Sequence, residues 1–116
     1  MENAVKDQVV LYREEVDDER LCIACAFTGE GQLEVMQVSE GPLTYWCFEE
    51  SPHYVSTMFD REAIEGMLAY FHVEEDRDLL HMLRASYVGC DAGRRVRGLA
   101  RRLGCIYTVH ENAIVR

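Results

Sequence analysis

Lysine is almost missing from this chain: Lys6 stands alone against 11 arginines, so nearly every fixed positive charge is a guanidinium. Proline occurs twice and no biased tract is present, which excludes a linker-dominated or wholly disordered chain. Long apolar runs are missing as well. None approaches the roughly 18 residues that a membrane span requires, and Met1-Glu2-Asn3-Ala4-Val5-Lys6-Asp7 lacks the basic and apolar regions of a secretory signal. The expectation is a soluble cytoplasmic protein with no membrane partner.

Paired metal-ligand spacings are also missing. Cys22-Ile23-Ala24-Cys25 has the C-x-x-C form, but zinc wants four ligands, and no second pair accompanies it. A redox pair wants its first cysteine at a helix N-terminus, whereas this pair lies inside a β-type alternation that sends the two thiols to opposite faces. Cys47, Cys90 and Cys105 bring the cysteines to an odd five, which together with the missing export signal points to reduced, packed thiols. His53, His72, His81 and His110 show no H-x-x-x-H spacing. Cys47 or Cys90 with His53 could be assembled as nucleophile and base, and Glu49-Glu50 as acid and base, but any chain of this length offers such pairs. No catalytic residue, cofactor or metal is therefore expected.

What is present is a chain of 116 residues, most simply one domain spanning 1–116, able to bury roughly two-thirds of its unfolded surface. The net charge of −9 is unevenly distributed: residues 1–50 hold 12 acids against 3 bases, while residues 51–116 hold 9 of each. Within residues 84–102, six arginines face the single Asp91. An acidic body with one local basic face results.

Residues 8–14 have the β-branched and aromatic content of a first strand, followed by an acidic loop over 14–19. Leu21, Ile23, Cys25 and Phe27 alternate with smaller residues as in a central strand, and Gly29-Glu30-Gly31 turns the chain into 33–38. Runs 43–48 and 53–59 read as further strands of a meander. The period then changes to 3.6. Asp60 caps a helix over 61–71 with Ile64, Met67, Leu68 and Phe71 inward, and a second helix spans 74–87 on Leu79, Leu80, Leu83 and Tyr87. Asp91 caps a third over 91–104, where Ala92, Val96, Leu99, Ala100 and Leu103 fall within about 100° of arc and the arginines fill the opposite side. Gly104 stops it, and Cys105–Val109 returns to the sheet. The fold expected is α+β: a largely antiparallel sheet of five to six strands with three helices on one face.

Three functions compete. The leading one is a non-enzymatic protein-interaction module that receives a basic partner on an acidic surface of Glu14, Glu15, Asp17, Asp18, Glu19, Glu49 and Glu50. A second is a small enzyme or ligand binder with a pocket between sheet and helices, Tyr45, Trp46 and His53 at its mouth. The third is nucleic-acid contact through the basic face of Arg94, Arg95, Arg97, Arg101 and Arg102, which the net charge and the missing interleaved aromatics oppose. Ion pairing between the acidic and basic faces of two copies would make a homo-oligomer.

The order Leu33-Glu34-Val35, Ser39-Glu40-Gly41-Pro42, Tyr54-Val55-Ser56-Thr57-Met58, Asp60-Arg61-Glu62-Ala63 and then a Tyr87-to-Gly104 segment ending in Cys105-Ile106 resembles small bacterial α+β proteins. Some of those are regarded as toxin-neutralising immunity proteins. The resemblance covers about residues 8 to 110 by spacing and turns. It implies a binding rather than a catalytic role. Relatives carry an acidic Asp-Tyr-Glu-like turn where this chain has Pro52-His53-Tyr54-Val55, so no site residue carries over.

Overall fold

The computed structural model describes residues 8–111. Among them, β1 (Gln8–Val16), β2 (Glu19–Phe27), β3 (Leu33–Glu40), β4 (His53–Phe59) and β5 (Tyr107–Glu111) form one antiparallel sheet in the order β1-β2-β3-β4-β5. Sheet neighbours are thus also chain neighbours among the strands, as in a meander. The returning strand β5 takes the edge beside β4. Four helices, α1 (Pro42–Phe48), α2 (Arg61–Phe71), α3 (Asp76–Ser86) and α4 (Ala92–Arg102), complete the α+β architecture. None is long and apolar enough to cross a membrane.

Strand register fixes which side chains meet the helices. Phe27, Leu33, Phe59 and Tyr107 lie in one cross-strand row, and Cys25, Val35, Thr57 and Val109 in the next. Phe27, Leu33, Phe59, Tyr107, Cys25 and Val35 of these rows meet Ile64, Met67, Leu79, Leu80, Leu83, Val96 and Leu99 in one core, while Val109 on the edge strand stays exposed. A bulge between Val10 and Tyr12 leaves Leu11 as an extra residue and directs it into that core. Cys25 lies on the buried side and Cys22 on the alternate one, as the alternation requires, and all five cysteines are free. Burial pushes the Cys25 thiol up to about 12, which makes it an inert packing group.

The helix ends follow local chemistry in most places. The Asp60 carboxylate accepts from the Ala63 amide, as expected of an N-cap. Gly104, at φ +75, closes α4 through hydrogen bonds from its own amide to Arg101 O and from the Cys105 amide to Ala100 O, a Schellman arrangement. Arg61 forks onto Asp76 at 2.9 and 2.7 Å and ties α2 to α3.

Three expectations need correction. First, 43–48 is not a strand but the helix α1, so the helices number four rather than three and the described strands five. Its residues favour strands locally, yet Pro42 sits at the first helical position and the Glu19 carboxylate, 24 residues away from Leu43, caps the amides of Leu43 (2.9 Å) and Thr44 (3.1 Å). Second, 14–19 is not a loop: β1 runs to Val16, β2 starts at Glu19, and the turn is Asp17-Asp18 alone, with φ of 51° and 68°. Two successive left-handed residues match the strand twist, which is why so short a hairpin closes. Third, Asp91 precedes α4 without capping it, because its carboxylate faces Arg94 and Arg95 at 3.6 and 3.9 Å.

Candidate functional site

The acidic residues do not form one free surface. Glu19 is consumed by α1: besides the two amides it accepts from the Thr44 hydroxyl, and Thr44 is buried. Gly41 makes this approach possible. At φ +140 it lies so close to the β1–β2 turn that a Cβ there would sit 2.6 Å from Asp18 O and also overlap the Glu19 carboxylate. Glu15 and Glu40 flank Arg20 on neighbouring strands, at 3.9 and 2.8 Å. Glu14 accepts from the Tyr12 hydroxyl at 3.0 Å. Asp17 and Asp18, at the turn, carry no ion pair among the described residues.

Beside that turn, α1 presents apolar side chains to solvent. Leu43 is 61% exposed, Tyr45 62% and Trp46 81%, with Val16 of β1 at 54%. Leu43, Trp46 and Cys47 share one side of the helix at three- and four-residue spacing. Thr44 and Phe48 form the inner side. A cleft of about 390 Å³ joins the two elements, lined by Glu14, Val16, Asp17, Leu21, Pro42 and Leu43. The strand pattern of 43–48 concealed this patch, because alternation would have buried half of it; the hint in the sequence was Gly41-Pro42, a turn followed by a residue suited to a helix start.

His53 follows the other expectation only in part. Tyr45 and Trp46 point outward on α1, while His53 is 1% exposed under Phe48, whose ring stacks on it at 3.8 Å with an interplanar angle of 3°. The three do not share a pocket mouth. Nδ1 of His53 lies 2.8 Å from Glu50 and Nε2 2.8 Å from Glu111 of β5. A carboxylate at each ring nitrogen favours the doubly protonated ring, in which both nitrogens donate. Burial lowers its pKa, but the hydrogen bonds to Glu111 and Glu50 outweigh burial and hold it above the ordinary histidine value. This three-residue latch joins the α1–β4 connection to the last strand, and no local spacing announces it.

Arg97 differs from the other arginines of α4. It is half-buried and donates to the buried Thr57 hydroxyl at 3.1 Å, so it belongs to the seam between helix and sheet rather than to the outer basic face. Arg94, Arg95, Arg101 and Arg102 remain outside. The buried polar side chains of the seam, Thr44, His53 and Thr57, all have partners, and among the described residues no buried side-chain nitrogen or oxygen is left without one. No cluster of three or more metal-ligating side chains occurs among the described residues. Compared with known proteins, the chain matches no family model, no curated protein and no solved structure.

Proposed function

We propose that the protein is a non-enzymatic interaction module of the immunity type, which binds a basic protein partner through α1 and the β1–β2 turn. The observation that carries this is the exposure of Leu43, Tyr45 and Trp46 on one short helix beside the carboxylates of Asp17 and Asp18. Trp and Tyr bury large area at little entropic cost and dominate binding energies when surrounded by a polar rim. The acids add long-range attraction and orient a cationic partner before contact. Glu19 supports the surface from below by holding α1 in place.

The test is affinity capture with the parent chain, Trp46→Ala and the double variant Asp17→Asn/Asp18→Asn. A basic protein is expected to be retained by the parent, to be lost with Trp46→Ala, and to bind more weakly as salt rises, with a shallower salt dependence for the double variant. Equal capture by all three chains would remove the proposal. The sheet-to-helix seam is the place for the alternative of a small enzyme or ligand binder, but no specific observation favours it, since its polar groups are engaged with one another.

A further inference from the structure

The outer face of α4 is organised around Gly98. Its four neighbours on the helix surface, at three and four residues before and after it, are Arg94, Arg95, Arg101 and Arg102. Glycine weakens a helix interior relative to alanine, and four like charges around it repel one another. Packing does not require the glycine: the nearest atom a Cβ would meet is a terminal nitrogen of Arg101 at 3.8 Å, an ordinary contact. What its small size does provide is a floor. An open cleft of about 580 Å³ lies over it, walled by Tyr87, Arg95, Arg101 and Arg102.

Two of the guanidiniums are held in position. Arg101 donates to the Tyr107 hydroxyl at 2.6 Å, and Arg95 lies 5.4 Å from the centre of the Tyr87 ring. Asp91 reaches only Arg94 and Arg95, at 3.6 and 3.9 Å, and Arg101 and Arg102 have no ion pair among the described residues. Guanidiniums suit oxyanions because each offers planar, paired donors. We propose that this cradle is a binding site for closely spaced phosphate groups, with Arg95, Arg101 and Arg102 as donors and Gly98 leaving room for the anion. The inference is independent of the surface at α1, which lies on a different element.

The experiment is calorimetric titration of the full chain with tripolyphosphate, comparing Gly98→Leu, Arg102→Gln and, as a charge control outside the cradle, Arg84→Gln. Binding is expected for the parent. Arg102→Gln should weaken it by about tenfold, as loss of one charged hydrogen-bonding group does. Gly98→Leu should weaken it similarly while the melting temperature does not fall, because it fills the floor, keeps every charge and favours the helix. Arg84→Gln should leave the affinity nearly unchanged. Vesicles with and without a bisphosphorylated inositol lipid distinguish a headgroup from a free polyphosphate, and binding in either arm that Gly98→Leu weakens supports the site. No binding of tripolyphosphate or of the lipid, or equal affinity of Gly98→Leu and parent, overturns it, the second outcome meaning diffuse charge attraction only. Self-association that the same variants abolish without any phosphate binding overturns it as well, in favour of a second copy.

Discussion

Single side chains decide more here than their number implies, and His53 is the clearest case. Its ring lies between Glu50 and Glu111, with the Phe48 ring against its face. Because its folded pKa is raised, its contribution to stability is complete below the unfolded value of about 6.5 and is lost as pH rises through the folded value. The urea midpoint of the parent should therefore be highest below about pH 6.5 and fall as pH rises above it, through the raised folded value. His53→Gln should be less stable at the acidic end and flatter across the range; an equally steep profile in that variant would assign the titration elsewhere. Asp18 gives a prediction of opposite sign. At φ 68° it bears the left-handed penalty beside the left-handed Asp17, so Asp18→Gly should raise stability by about 1 kcal/mol in denaturant titration.

At the scale of elements, α1 shows how distant chemistry overrides local preference. Seven residues cannot form a stable helix by propensity alone. Pro42, the trans cap from Glu19 and the stacking of Phe48 on His53 hold it at both ends. Glu19→Ala should cost about 1–2 kcal/mol, the usual loss for an N-cap, measured from chemical denaturation. Gly41→Ala should cost more, because it adds a backbone strain at φ +140 to the overlap with Asp18 and Glu19. If Glu19→Ala were neutral, the hydrogen bonds from Leu43 and Thr44 would be replaced fully by water, and α1 would owe its position to Pro42 and Phe48.

For the whole molecule, the acidic and basic regions lie on different elements: the carboxylates around the β1–β2 turn and the arginines along the outer side of α4. The two proposed binding surfaces, of opposite sign, predict two separable responses. Complex formation with a basic partner should weaken steeply with salt in the parent and be lost in Trp46→Ala, while tripolyphosphate binding to Trp46→Ala stays unchanged. Loss of both activities in that one variant would point to a folding defect, which a melting curve checks directly.

Much of this was legible in the chain. The alternation through Leu21, Ile23, Cys25 and Phe27 defined β2, and the 3.6 period of Ile64, Met67, Leu68 and Phe71 defined α2, because burial of one face leaves a periodic trace in any sequence. The Asp60 cap and the Gly104 stop were equally local. Sequence by itself therefore determined the α+β class, the largely antiparallel sheet and the uneven charge, while the place of the last strand at the sheet edge was decided by the tertiary structure. Only the tertiary structure decided that 43–48 is a helix, that Glu19 and Arg97 are structural, that Tyr45 and Trp46 face solvent, and that Tyr87 joins Arg95, Arg101 and Arg102 in walling a cleft over Gly98. The physical reason is the same throughout: a cap from 24 residues away, or a histidine latch spanning 58, changes the energy of a segment without changing its local pattern.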